Sequence, residues 1–337
     1  MHLKLLRAAA SIALFGGMAA FGLGSAQAAL ASPTTVDVSC STSALISDMA
    51  TAQTVDDTIL VLAPDCTYWL TAVYDSTWIK RSYADDTPSF TIFSVCAAGD
   101  LTLNGVNVAN GGGSDYQGGG AVYVNDGTLT VHGGTFNDNN TEDYGGAIDN
   151  QCGTLTADGA TFADNSTGEY GGAIYSESTV STATLNGDTF SRNDSSEYGG
   201  AIANDDNDMT ITGSTFSKNG ATDDGGAIYN DYDLTVNGSS FSQNGAEYGG
   251  AMYNDYDLTV SRSSITNKNS AYQGGGFYND DETLTISYSM VTYNLSSHGG
   301  GGIYNYDDGT VTLTAVLINW NFIYNCVPLD TITNCGG

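Results

Sequence analysis

The feature that most constrains this chain is a phrase that keeps returning. Gly119-Gly120-Ala121-Val122-Tyr123 recurs in near-copies around Ala147, Ala173, Ala201, Ala227, Ala251, Gly276 and Gly302. Successive copies lie 24 to 28 residues apart. A second phrase, Phe-x-x-Asn, runs from Phe136 to Asn139, Phe162 to Asn165, Phe190 to Asn193, Phe216 to Asn219 and Phe241 to Asn244. Later copies relax it to Ile265 with Asn269, Val291 with Asn294, and Ile318 with Asn321. A third phrase precedes the phenylalanine: Leu129-Thr130-Val131, Leu234-Thr235-Val236, Leu258-Thr259-Val260.

Each repeat thus holds three apolar segments, all too short for a helix and separated by polar, glycine-rich turns. Alternation within them, as in Leu-Thr-Val, points successive side chains to opposite faces of a strand. Three strands per coil predict an all-β chain folded as a right-handed parallel β-helix. The variable spacing does not fit a left-handed solenoid with its strict hexapeptide period. Equivalent residues then stack about 4.8 Å apart along the axis. Phe136, Phe162, Phe190, Phe216 and Phe241 form an internal ladder, and the Ala and Ile positions form a second interior column. The paired glycines supply positive φ or close backbone approach at a corner. The recurring Asn reads as a turn cap in the left-handed region, bonding nearby backbone.

The sequence divides into a leader (1–28), an N-terminal cap with irregular coils (29–110), regular repeats (111–325) and a C-terminal tail (326–337). The leader carries Lys4 and Arg7, an apolar stretch from Ala8 to Leu23, and Ala26-Gln27-Ala28 as a cleavage site, so an exported protein is expected. No later apolar stretch approaches the ~18 residues of a membrane span. Residues 41–53 suit a short capping helix over the open end of the solenoid. Six cysteines in an exported chain favour disulfides. Cys326 with Cys335 and Cys40 with Cys66 are the expected pairs, while the pairing of Cys96 and Cys152 stays open.

The 38 acidic residues face only 8 Lys plus Arg, a formal net charge of −30. That excludes a nucleic-acid partner, which needs clustered cations. With 41% hydrophobic residues the chain is not a disordered acidic tract. Much of the acid falls in one turn: Asp205, Asp206, Asp208, Asp231, Asp233, Asp255, Asp257, Asp280, Asp281, Glu282, Asp307 and Asp308. No cofactor is required, but Ca²⁺ takes carboxylate and carbonyl oxygens from loops. Asp205, Asp208, Asp231, Asp233, Asp255, Asp257, Asp280 and Asp281 are the candidate ligands, weighed against a solvated edge that keeps a β-rich rod soluble. Outward threonines (Thr130, Thr156, Thr184, Thr210, Thr235, Thr259, Thr285, Thr312) form another column, as in an ice-binding solenoid, but Asp208, Asp233 and Asp257 interrupt it and Thr is an ordinary strand residue. Tyrosines flank the glycines in two columns: Tyr116, Tyr144, Tyr170, Tyr198, Tyr248 and Tyr272 before, and Tyr123, Tyr175, Tyr229, Tyr253, Tyr278 and Tyr304 after. Such rows either bind glycans or proteins, or cover the turns by stacking.

The Gly-Gly-Ala-Ile and Phe-x-x-Asn alternation resembles the repeats of polymorphic outer membrane proteins. It is more similar still to secreted bacterial right-handed β-helix repeat proteins, through Cys40 to Ala52, Cys66-Thr67-Tyr68 with Leu70, and Leu101-Thr102-Leu103-Asn104-Gly105. The resemblance implies a pectin-lyase-like fold and a surface, adhesin-like or matrix role; the tyrosine rows make a glycan or surface protein the expected partner, and a monomer is expected. Polysaccharide lyases and hydrolases share that fold, so an enzyme is the alternative. The hydrolases' Asn-Thr-Asp, Gly-His-Gly and Arg-Ile-Lys phrases do not occur here, no catalytic residue is assigned, and the even coil length leaves no long loops to wall a groove.

Overall fold

The computed structural model describes residues 91–95, 99–113, 118–177, 182–306, 309–328 and 332–335, and before them Ser47 and the backbone of five strands. Those strands are Ala10–Leu14, Thr34–Val38, Thr58–Leu62, Tyr74–Asp75 and Thr77–Arg81. Ala10–Leu14 runs antiparallel between Thr58–Leu62 and Thr77–Arg81. From Thr77–Arg81 onward every pairing is parallel, coil upon coil, starting with Thr77–Arg81 on Asn107–Ala109.

One coil shows the plan. Ile202–Asp205 belongs to an isoleucine sheet, Asp208–Thr212 to a threonine sheet, Thr215–Ser217 to a phenylalanine sheet, and Gly220–Ala221 is a short fourth strand before the glycine corner. The next coil repeats it in register: Ile202 opposite Ile228, Thr210 opposite Thr235, Phe216 opposite Phe241. The solenoid follows from this pattern. No segment is long enough to close a helical turn, and each strand finds its hydrogen-bond partner in the coil above or below.

The core is a set of columns. Phe136, Phe162, Phe190, Phe216 and Phe241 are fully buried, with ring centroids 5.0, 4.9, 4.7 and 4.6 Å apart. Burying each ring contributes roughly 1.5–3 kcal/mol. Ile148, Ile174, Ile202 and Ile228 fill the isoleucine column, and Ala147, Ala173, Ala201 and Ala227 lie buried beside them. At each corner the two glycines divide the labour. Gly199 takes φ +66, and a Cβ on Gly200 would collide with the carbonyl oxygen of Gly226 in the next coil.

The asparagines correct the expectation of a left-handed cap. The residue before each one holds the positive φ: Asp164 (55°), Arg192 (55°), Lys218 (59°) and Gln243 (59°). That exposed residue turns the corner, which aims the asparagine inward. Asn139, Asn165, Asn193, Asn219, Asn244, Asn269 and Asn294 are buried. Asn193 Nδ2 donates to Asn219 Oδ1 at 3.0 Å and to the Phe162 carbonyl at 3.1 Å, while its backbone N–H donates to the same Oδ1. A primary amide both donates and accepts, so one side chain per coil satisfies the backbone where the corner leaves the strand ladder. A second buried ladder links Asn204, Asn230, Asn254, Asn279 and Asn305 at 2.8–2.9 Å. A third uses Ser214, Ser239, Ser263 and Ser289, each Oγ accepting a backbone N–H from the preceding coil.

At the far end Cys326–Val327 pairs with Ile303–Asn305, and Cys326 is bonded to Cys335 with Cα atoms 6.2 Å apart. The expected pair Cys40–Cys66, the thiol of Cys96 and the capping helix (apart from Ser47) lie outside the described residues. Cys152 is exposed.

Candidate functional site

The acidic turn forms two rows. Asp205 and Asp231 end strands of the isoleucine sheet, in register with Glu177. Asp255 and Asp280 continue that row, their backbone N–H groups donating to Asn230 and Asn254. Asp208 opens a strand of the threonine sheet opposite Thr182. Asp233 and Asp257 follow, accepting from the backbone of Met209 and Leu234. Asp281 is exposed beside Asp280, and Asp307 and Asp308 lie outside the described residues. Among the described residues no three His, Cys, Asp or Glu side chains are gathered as a metal-binding group.

Crowding shows in the protonation of the first row. Burial, then the charges of Asp255, Asp205 and Asp206, push the Asp231 carboxyl up to about 6. Asp255 is raised by burial and by Asp280 and Asp281. Asp224, on the neighbouring turn, is pushed up to about 7 by burial and by Asp223, Asp280, Glu247 and Asp255.

Tyrosines lie against this row. The Tyr175 hydroxyl donates to Asp205 Oδ2 at 2.8 Å, and the Tyr253 hydroxyl donates to Asp280. Burial and Asp205 hold the Tyr175 phenol well above its ordinary range. One stack runs across both tyrosine columns, while Tyr248 and Tyr272 of the first column meet edge-on beside it. Tyr144, Tyr170 and Tyr198, from the turns before the glycines, stack at 5.4 and 5.0 Å. The stack then crosses to the other column: Tyr198 lies on Tyr229 at 5.0 Å, followed by Tyr253, Tyr278 and Tyr304 at 5.5, 5.2 and 5.2 Å.

Two substitutions within the repeat cause the crossing. Asp224 stands where the first column expects a ring, in register with Tyr198. Ala203 stands where the second expects one, between Tyr175 and Tyr229. A third, Asp149, replaces a ring between Tyr123 and Tyr175; it is fully buried, and burial holds its carboxyl well above the usual range. The consensus phrase hides all three. Aligning the coils column by column would have exposed them.

The threonine sheet presents Thr210, Thr235 and Thr259 to solvent, and a shallow depression of about 360 Å³ lies over Asp233, Thr235, Asp257, Thr259 and Thr285. The arginines among the described residues stand elsewhere. Arg192 makes a two-pronged exposed ion pair with Asp164, both bonds 2.6 Å, at the corner after the phenylalanine sheet. Arg262 sits over the Tyr288 ring at 5.9 Å. Neither meets the carboxylate rows.

A family model described as a right handed beta helix region matches residues 147–318, just over half of the chain. The chain belongs to the right-handed β-helix family. No curated protein and no solved structure gives a significant match to this β-helix. The family hit agrees with the parallel coils of about 26 residues and says nothing of a ligand.

Proposed function

We propose that this β-helix is an exported binding rod that engages a glycan or a surface protein along its tyrosine and carboxylate edge. The observation that carries the reading is the continuous run of rings from Tyr144 to Tyr304 flanked by Asp205, Asp231, Asp255 and Asp280. Aromatic side chains with a polar rim are the usual anchors of a recognition surface. Export rests on the leader pattern with its Ala26-Gln27-Ala28 site. A lyase or hydrolase is disfavoured because Asp205, Asp231, Asp255 and Asp280 line up in a single row, whereas glycoside hydrolysis needs two carboxyls facing each other across a bound sugar.

The test is a glycan array and a cell-surface binding assay with residues 29–337, comparing the wild type with Tyr198→Ala and Tyr253→Ala. Binding that both substitutions weaken is expected. Unchanged binding in both, or release of unsaturated or reducing ends from a polyuronate, overturns the reading.

A further inference from the structure

The outer face of the phenylalanine sheet changes character in its last two coils. Thr135, Thr161, Thr189, Thr215, Ser240 and Ser264 run in register along it, and Met290 and Leu317 end the column. At the corner that follows, Asp164, Arg192, Lys218, Gln243 and Lys268 give way to Tyr293 and Trp320, every one of them at positive φ. On the short fourth strand, Asp194, Gly220, Gly245 and Ser270 give way to Leu295 and Phe322. Three columns thus turn apolar at the same coil. Met290, Leu295 and Leu317 are 37–44% exposed, and Tyr293, Trp320 and Phe322 are 51–63% exposed. Tyr293 and Trp320 stack on each other at 5.2 Å. Charge disappears with the polar side chains: between Glu282 and Asp330 only Asp307 and Asp308 carry a formal charge.

We propose that this face docks a second copy of the chain, joining two rods tail to tail about a two-fold axis. Single apolar side chains on a surface are ordinary, whereas a contiguous block marks an interaction site. The six side chains present on the order of 500 Å² of apolar surface. A standard interface buries about 800 Å² per partner, a little over half of it apolar, so the block matches one half of a stable dimer. Its composition agrees, since aromatic rings and Met gather at such interfaces while Asp, Glu and Lys are depleted. Charge selects a second copy over other occupants. Two chains of net charge −30 repel wherever their acidic coils face each other. Here the contact is neutral and sits at one end of the coil stack. A two-fold axis through it sends the acidic coils in opposite directions, beyond the ~8 Å over which salt screens them. An isologous contact also sets apolar surface against the same apolar surface. A basic partner would find no carboxylate among the six, and Leu295 and Leu317 offer the hydroxyls of a glycan no hydrogen bond. The dimer replaces the monomer expected from the repeats, whose consensus hides the change in the last two coils.

The experiment is sedimentation equilibrium of residues 29–337 across the micromolar range, at low and high sodium chloride. A mass of two chains is expected, reached at lower protein concentration in high salt, because salt screens the acidic coils and leaves an apolar contact intact. Trp320→Lys installs the residue that Lys218 and Lys268 already place at this corner with the same backbone conformation, so the coil accepts it. It should weaken the dimer at least about thirtyfold, the loss of a central Trp anchor. Leu317→Thr, which restores the residue of Thr215, should weaken it in the same direction by less. Circular dichroism checks that both variants keep the wild-type fold. A wild type that stays one chain in mass throughout, a dimer unchanged by both substitutions, or a dimer that salt dissociates overturns the proposal. Wild-type monomers that float with phosphatidylcholine vesicles would assign the block to a lipid surface and overturn it as well. Tyr198→Ala and Tyr253→Ala, which test the recognition edge, should leave the mass unchanged, so the two readings fail separately.

Discussion

The phenylalanine stack and the tyrosine stack share one spacing and differ in everything else. Inside, the rings lie 4.6 to 5.0 Å apart, tilting by 18° at the first pair and only 2° at the last two, and all are fully buried. Outside, they lie 5.0 to 5.5 Å apart, tilt by 5 to 21°, change column and touch carboxylates. The sheets impose the rise on both. Within the core the stack is a way to fill volume, and the chain abandons it at Ile265 and Val291 without changing register. The tyrosine stack persists to Tyr304, buried at Tyr253 and Tyr278 and half-buried at its other rings. The inner column therefore holds the rod together, and the outer one carries the proposed recognition.

The sharpest way to break this contrast is paired truncation. Phe216→Ala should destabilise by about 3–5 kcal/mol through the cavity it leaves. Tyr198→Ala, half-buried, should cost about 1 kcal/mol while impairing recognition. Denaturant melts of both variants check this, and equal losses would erase the distinction. Next in size is Asn219→Leu. It strands the Asn193 amide and the Phe190 carbonyl, each a buried group costing about 1–3 kcal/mol when unpaired, so a loss of ~3 kcal/mol is expected in the same melts.

A pH dependence draws on both regions. Asp188 occupies the interior serine column and is pushed up to about 7 by burial. Asp224 and Asp231 on the edge reach about 7 and about 6. The folded state holds these protons more tightly than the unfolded chain, whose carboxyls release them near pH 4. The stabilisation is complete below about pH 4 and is lost as pH rises through 6 to 7. Thermal melts should therefore give a higher midpoint at pH 5 than at pH 8. Asp188→Ser, which matches Ser214, Ser239, Ser263 and Ser289, should raise the midpoint at pH 8 and flatten the slope. An unchanged slope would assign the whole effect to the outer row.

Most of the solenoid is legible in the chain because a repeat constrains every column at once. Phe190 above Phe162, and Gly199 beside Gly200, follow from spacing and from what only glycine tolerates. The asparagine ladder departs from the expected cap for a local reason. Asparagine is the residue most often associated with positive φ, yet here Arg192 and Lys218 take that conformation because their side chains lie in solvent and the asparagine amide is needed inside. At the edge, the carboxylates were visible and their separation into two rows was not, since a three-residue difference places Asp205 and Asp208 on different sheets. The crossing of the tyrosine stack follows from Asp224 and Ala203, two departures that the consensus phrase hides and that only a column-by-column comparison of the coils brings out.

The row of Asp205, Asp231, Asp255 and Asp280 has a further consequence as a line charge. Its repeat distance is one coil rise, about 4.8 Å. In water two unit charges interact with thermal energy at roughly 7 Å, so the row is denser than simple screening can accommodate. A row of like charge attracts mobile cations. A cationic partner docking on this face then displaces that ion sheath, and part of its affinity is the entropy of the ions set free.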